Sequence, residues 1–267
     1  MDPEIKSLPD ESELTYDLMA RYYDGFTGHH DYDSWLDSLL PALQARGLAG
    51  RRLLDAGCGT GKSSIPMLDR GWEVTACDQS EQMLERLRTK AGDRIRIERR
   101  DLRTMPVLGE FDLILCLGDV LNYCAAAGRI NSALDGLARN LAPGGLLLFD
   151  LNTVATYRTF YAERIEVEVE GARVVWQGRG DGSAEEGGLA EAELRVSGEH
   201  GQSVRAVHRQ RHVPREEALM SLALAGLECL DLFGQGFDAV LEKPLEEDRH
   251  TKAVYIAGMA THTEEGR

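Results

Sequence analysis

The residues of this 267-residue chain best suited to chemistry are three aspartates, Asp55, Asp78 and Asp101, which recur at equal intervals, and a glycine bend after the first. In Leu53-Leu54-Asp55-Ala56-Gly57-Cys58-Gly59-Thr60-Gly61 an apolar run gives way to glycine at alternate positions. Such a bend turns sharply and lets backbone approach a ligand with no Cβ in the way. A dinucleotide loop lays a pyrophosphate on the next helix and has its third glycine one residue later, where this chain has Lys62. Asp55 would repel phosphate and suit a cation. The expected ligand therefore carries an ammonium or a sulfonium. Each aspartate falls at the carboxyl end of an expected strand, where an open α/β sheet forms its ligand crevice.

The elements that would hold these residues alternate along the chain. Apolar runs place strands at about 51–56, 73–77, 94–99, 112–117 and 145–150, with helices between them at about 62–70, 81–91 and 127–141. The strands are apolar on both faces, as a doubly covered parallel sheet requires. Gly71 closes the first helix, Ser80 caps the second, and Pro143-Gly144-Gly145 is read as a turn. Upstream, a helix capped by Ser12 runs to about Tyr23, and a second from Asp31 to Arg46 has Trp35, Leu36, Leu39 and Leu43 on its apolar face, a kink expected at Pro41 and an end at Gly47. From Arg164 to Val213 the period changes to two, which predicts three or four antiparallel strands. Pro214 then opens a helix to about Ala225, and strands follow at 227–233 and 252–260.

The expected organisation is an arm at 1–11, a helical lid at 12–47, a core formed by 48–163 and 214–260, the antiparallel insertion at 164–213, and a tail at 261–267. Five cysteines without a C-x-x-C pair read as reduced small hydrophobes rather than metal ligands, so no metal is expected. Net charge is −15, and the basic residues are scattered apart from the runs Arg94–Arg103 and Arg205–Arg215. That balance argues against nucleic acid as a partner. With no charged-then-apolar leader at Met1 and no long apolar run, a soluble cytoplasmic protein without membrane attachment is expected.

Leu54-Asp55-Ala56-Gly57-Cys58-Gly59-Thr60-Gly61 resembles the first motif of the class I S-adenosylmethionine-dependent methyltransferases, and its neighbours fall at that family's offsets. The resemblance implies an α/β fold: a seven-stranded Rossmann-like sheet with the antiparallel insertion after the fifth strand and the N-terminal lid. It implies S-adenosyl-L-methionine as cofactor, held by Asp55, Gly57, Gly59 and Gly61. Asp78 would receive both ribose hydroxyls, beside Gln79. Met83 would lie on the adenine face, and Asp101 and Leu102 would meet its amine and ring nitrogen. Leu117 and Gly118 would hold the amino-acid end. Of the N-terminal aromatics Tyr16, Tyr22, Tyr23, Tyr32 and Trp35, which resemble the lid of the small-molecule branch, Tyr23 and Tyr32 are the ones expected at the cofactor. Aromatic faces attract a sulfonium by roughly 0.5 to 2 kcal/mol.

On the acceptor side, Asn122, Tyr123, Asn152, Trp176, His208 and Gln210 are the candidates, with His208, Tyr23 and Asn122 as catalytic residues. The period of two puts His208, Gln210 and His212 on one strand face, where His208 could take a proton. Asp119-Val120-Leu121-Asn122 lacks the Pro-Pro-aromatic turn typical of nucleobase amine methyltransferases, and the expected partner is a small molecule. The insertion resembles that of glycine and amino-sugar N-methyltransferases, where such a segment can line a pocket or form the face of a homodimer. The expected reaction is methyl transfer to nitrogen or oxygen of a small polar metabolite, as in natural-product biosynthesis. An RNA or protein methyltransferase, needing a basic or extended groove, is one alternative; a non-catalytic S-adenosylmethionine-binding sensor or scaffold is another.

Overall fold

The computed structural model describes residues 11–198, 203–236 and 238–260. The tail expected from residue 261 lies outside the described residues, as does the expected arm apart from Glu11. The chain opens with α1 (Glu11–Met19), α2 (Tyr23–Phe26) and α3 (Tyr32–Ala45). It continues as β1 (Arg52–Ala56), α4 (Ser64–Asp69), β2 (Glu73–Asp78), α5 (Glu81–Ala91), β3 (Arg96–Arg99), β4 (Phe111–Cys116), α6 (Val120–Ala126), α7 (Ile130–Ala138) and β5 (Leu141–Asn152). After α8 (Val154–Arg158) come β6 (Arg164–Val169), β7 (Ala172–Gly178), β8 (Leu189–Ser197) and β9 (Ser203–Arg211), then α9 (Arg215–Leu224), β10 (Leu227–Gln235), β11 (Leu241–Glu242) and β12 (Lys252–Met259).

The large sheet has the order β11-β10-β12-β5-β4-β1-β2-β3. β1 to β5 run parallel, and β12 is antiparallel to both β5 and β10. The chain reverses its direction of travel across the sheet between β1 and β4, the place where a ligand crevice opens at the carboxyl ends. Period-two alternation along β5 sends Leu146 and Leu148 to one face, with Leu36, Leu39 and Leu43 of α3, and Leu147, Phe149 and Leu151 to the other, with Leu134 of α7 and Leu222 of α9. α3 is thus built into the core, and it runs on through Pro41.

Three local expectations differ from what forms. Pro143-Gly144-Gly145 is not a turn but part of β5, where a Cβ on Gly145 would stand 2.6 Å from the Phe111 carbonyl oxygen, so glycine lets the two strands close at an irregular register. The helix expected at 127–141 forms as the shorter α7, and a helix that was not expected, α6, precedes it from Val120, with Gly128 at φ +67° between the two. Ser12 does not cap α1, which begins at Glu11; its hydroxyl accepts from Gln79 Nε2 at 2.9 Å. Ser80 does cap α5, accepting the Met83 amide at 3.2 Å.

The second sheet, β6-β7-β8-β9, is wholly antiparallel. Its inner face carries Val174, Trp176, Ala192, Leu194 and Val196 against Met19, Phe26, Tyr157 and Tyr161. Its outer face is laced with ion pairs, Glu193 meeting Arg179 at 3.1 Å and Arg205 at 2.5 Å. α1 bridges the two sheets: Thr15 Oγ1 donates to the Val207 carbonyl at 3.1 Å, while Asp17 receives Ser80 Oγ at 2.6 Å. Among the described residues no helix is long and apolar enough to cross a membrane.

Candidate active site

Between the strand tips and α1 lies a cleft that opens to solvent. From β3 across β2 and β1 to β4 its lining includes Asp101, Leu102 and Met83, then Asp78 and Gln79, then Gly57 and Gly59, then Leu117, Gly118 and Tyr123, with Tyr23 and Tyr32 from the N-terminal helices.

The glycine bend has φ of +78° at Gly57, +52° at Gly59 and +88° at Gly61, a region open to glycine alone at low cost. The three glycines do different things. A Cβ on Gly59 would meet nothing within 4 Å, so this residue presents bare backbone to the cleft. A Cβ on Gly61 would stand 2.3 Å from Leu87, and Gly61 does not line the cleft; it lets the bend pack on α5.

Asp55, expected at the cofactor, does not line the cleft. Its carboxylate is buried and accepts Ser63 Oγ at 2.6 Å and Ser64 Oγ at 2.5 Å, so it ties the start of α4 to the end of β1. Burial pushes its carboxyl up to about 6 despite those two bonds. The cation preference read from Asp55 therefore cannot come from that residue.

Asp78 is the carboxylate that reaches the cleft. Oδ2 accepts the Gly59 amide and Oδ1 the Ser80 amide, each at 2.9 Å. The Gln79 amide also bears on it, so backbone amides hold this carboxylate at the wall of the cleft. Burial raises its pKa, and the amide bonds work against that rise. At the β3 end, Asp101 is gripped by Arg103, whose Nε donates to Oδ1 at 2.8 Å and whose Nη2 donates to Oδ2 at 2.7 Å. The sequence did not single out Arg103, which lines the cleft beside Gln79.

At the β4 end the backbone is strained. Asp119 adopts φ +58° and ψ +21°, a conformation uncommon for a residue with a side chain. Asp150, fully buried at the end of β5, holds that turn by accepting the amides of Gly118 at 2.6 Å and Asp119 at 3.0 Å. Lys252 Nζ closes the cluster at 2.7 Å from Asp150 and 2.9 Å from Asp119. The two carboxylates raise its pKa against the opposing pull of burial. Asp150 is a further aspartate at a strand's carboxyl end, the signal by which it could have been found.

The expected acceptor residues divide into two groups. Tyr23 and Tyr123 line the inner part of the cleft, with Tyr16 of α1, whose hydroxyl donates to Tyr123 at 3.0 Å. Burial, with Asp119 nearby, raises the pKa of Tyr23 and Tyr123, so both hydroxyls keep their protons. The others stand behind them. Asn122 is no catalytic group: its Oδ1 accepts the Asn152 amide at 3.0 Å and its Nδ2 donates to the Arg211 carbonyl at 2.9 Å, clamping α6 between β5 and β9. Asn152 Nδ2 donates to Gln210 Oε1 at 2.8 Å, and Gln210 Nε2 donates to Asp119. Trp176 Nε1 donates to the Phe160 carbonyl at 3.1 Å. None of these four, nor His208, lines the cleft.

His208, Gln210 and His212 are all buried, as their shared strand face requires. His208 Nδ1 lies 2.7 Å from the Tyr123 hydroxyl. With Tyr16 donating to Tyr123, the Tyr123 proton is directed at Nδ1, which leaves His208 protonated on Nε2. Nε2 is buried with no hydrogen-bond partner, and the ring lies 5.0 Å from that of Trp176. Burial alone lowers the His208 pKa to about 4. The ring is therefore neutral at pH 7 and a weak base, which corrects its expected role as proton acceptor.

A histidine depressed on folding contributes stability that is full above its unfolded pKa of about 6.5 and is lost as pH falls toward the folded value. Between pH 7 and pH 5 the protein should lose about 2 kcal/mol through His208. Urea unfolding at the two pH values checks this: the difference should shrink in His208→Phe, and an unchanged difference would contradict it.

The methyltransferase-domain family model matches residues 53–145, the span from β1 into the first half of β5. Over that span this chain is similar to methyltransferase domains. It is 33% identical over 143 residues to the Bacillus subtilis protein YqeM, covering 52% of this chain and 56% of that one. It is 32% identical over 136 residues to glycine N-methyltransferase of Rattus norvegicus, covering 45% of each. The chain spans about half the length of the curated relatives it matches. Among solved structures, an S-adenosylmethionine-dependent methyltransferase from Clostridium acetobutylicum superposes with a TM-score of 0.76 at 20% identity, over 92% of this chain and all of that one. The sugar N-methyltransferase KedS8 from Streptoalloteichus gives 0.67 at 20% identity, over 98% and 97%. The methyltransferase resemblance and the Rossmann-like α/β class are thus borne out.

The cleft fits S-adenosylmethionine on its own chemistry. Asp78 presents a carboxylate that can accept from a diol, Gly59 leaves space where a Cβ would intrude, and Met83 and Leu102 give apolar surface for a flat base. Asp101 can serve the base only through positions that Arg103 does not occupy.

Proposed function

We propose that this protein transfers a methyl group from S-adenosylmethionine to a small polar metabolite, at nitrogen or oxygen, in natural-product biosynthesis. The observation that carries the reading is Asp78, a carboxylate held at the cleft wall by backbone amides, beside a glycine bend whose middle residue is bare toward the same cleft. The relatives named glycine N-methyltransferase and sugar N-methyltransferase support a small acceptor.

S-Adenosylmethionine supplies a methyl on a sulfonium, a donor that needs no further activation. What falls to the chain is binding, alignment and exclusion of water. Aligning the acceptor lone pair behind the methyl carbon can contribute about 7 to 11 kcal/mol. Asp78 fixes the ribose, the Gly118 turn held by Asp150 shapes the β4 side, and α1 closes the cleft from above. Tyr16, Tyr23 and Tyr123 form the wall an acceptor would face, all three hydroxyls protonated, with the protons of Tyr16 and Tyr123 directed at Tyr123 and His208. Nitrogen suits this wall better than oxygen. An amine needs only to arrive unprotonated, whereas a hydroxyl needs a base, and His208 at about 4 is too weak to be one.

Incubation with methyl-labelled S-adenosylmethionine and panels of small amines and alcohols tests this. Label should pass to amines, with rates rising with pH through the amine's own pKa. Transfer to alcohols alone would contradict the nitrogen assignment, and transfer to neither, nor to any component of a small-molecule extract, would contradict the catalytic reading.

A further inference from the structure

We infer that Lys62 binds the carboxylate of the donor's amino-acid end and is the residue that distinguishes a complete donor from a nucleoside lacking that end. The inference rests on the S-adenosylmethionine reading of the cleft. Lys62 stands where a dinucleotide loop would have its third glycine, immediately after the bend, and it lines the cleft. Strand order then fixes which part of the ligand it can meet. Asp101 and Leu102 follow β3, Asp78 ends β2, and the bend follows β1. A nucleoside with its base at β3 and its ribose at β2 directs its 5′ substituent toward β1 and β4. Among the described lining residues, the cations besides Lys62 are Arg100 and Arg103, both at the β3 end. Lys62 is therefore the cation on the half of the cleft where a carboxylate would arrive.

The ammonium is set in place rather than loose. Nζ donates to the Thr27 carbonyl oxygen at 2.6 Å and to Thr27 Oγ1 at 3.1 Å, and it lies 5.2 Å from the centre of the Tyr32 ring. An ammonium has three donors, so two bonds to Thr27 leave one. Lys62 is half-buried, and burial lowers its pKa while Asp24 and Asp31 act in the opposite sense. Thr27 follows α2, and Tyr32 opens α3 with its hydroxyl over Gly118, 3.0 Å from where a Cβ would stand. One ammonium thus joins the glycine bend to the N-terminal segment that covers it.

Calorimetric titration with two ligands tests the inference: S-adenosylhomocysteine, which has the carboxylate, and 5′-methylthioadenosine, which lacks the whole amino-acid end. In Lys62→Met, affinity for S-adenosylhomocysteine should fall by roughly tenfold to a hundredfold, as for loss of one charge-assisted bond, while affinity for methylthioadenosine stays within about twofold of wild type. Equal losses for both ligands, as expected if Lys62 acts only through the lid, would overturn the inference, and so would no loss for either. Lys62→Arg keeps the cation and should keep most of the preference for S-adenosylhomocysteine; if it folds and loses that preference, the charge assignment is wrong. Wild-type protein that binds neither ligand would instead overturn the cofactor reading itself, an outcome distinct from the failure of Lys62.

Discussion

Asp78→Ala should abolish measurable binding of S-adenosylhomocysteine while the chain remains folded. Two charge-assisted bonds from ribose hydroxyls, at about 1.5 to 3 kcal/mol each, amount to roughly 3 to 6 kcal/mol, or about a hundredfold to ten-thousandfold in affinity. The substitution also removes the acceptor of the Gly59 amide, so the bend itself loses a restraint. Asp78→Asn separates the two effects. It retains one carbonyl oxygen but turns an NH₂ group toward one of the two amides, and should fall between wild type and alanine. Calorimetry is the check, with thermal unfolding as the control for folding. Near-native affinity in the alanine variant would overturn the ribose assignment.

The second large effect is on stability. Asp150→Ala removes from a fully buried position the acceptor of two backbone amides and of Lys252 Nζ. Breaking a buried ion pair by removing one partner costs about 3 to 5 kcal/mol, because the remaining charge is left without compensation. Asp119 remains to Lys252, which places the expected loss toward the lower end. At about 2 to 4 °C per kcal/mol for a chain of this size, Tm should fall by roughly 6 to 15 °C. The strained Asp119 turn loses its anchor at the same time, so donor affinity should weaken as well. A variant with unchanged Tm would show that the turn is held by something other than Asp150.

Much of this arrangement is written locally in the chain. The strands of the parallel sheet are continuous apolar runs ended by an acid or a glycine, so β1, β2 and β4 can be placed within a residue or so. Asp78 could be read as a ligand contact from the same pattern. Asp55 could not be told from it by sequence, since both follow apolar strands. What separates them is that Ser63 and Ser64 come within hydrogen-bond reach of Asp55 once α4 forms and Asp55 does not line the cleft, whereas Asp78 is held by backbone amides at the cleft wall. The acceptor side was less legible for a different reason. Asn122, Asn152, Trp176 and Gln210 are polar residues at strand ends or on the insertion, the pattern expected of a lined pocket. In the fold they bond to one another and to the backbone, which satisfies buried polar groups and holds α6, β5 and β9 together.

Lys252 and Tyr16 show the same limit from the other direction. Lys252 lies at the start of β12 and meets Asp119 and Asp150 only because β12 inserts antiparallel between β5 and β10. Tyr16 reaches Tyr123 only because α1 crosses from one sheet to the other. Neither juxtaposition has a local signature, since each depends on sheet order and on the packing of a distant helix.

The central claim is that the cleft takes an adenosine bearing an amino-acid end rather than a nucleoside phosphate. Parallel calorimetric titrations of the wild-type protein with S-adenosylhomocysteine, NAD and ATP test it directly. Saturable binding of S-adenosylhomocysteine with one site per chain, and none of the other two at the same concentrations, is the predicted result; binding of NAD or ATP in its place would contradict it.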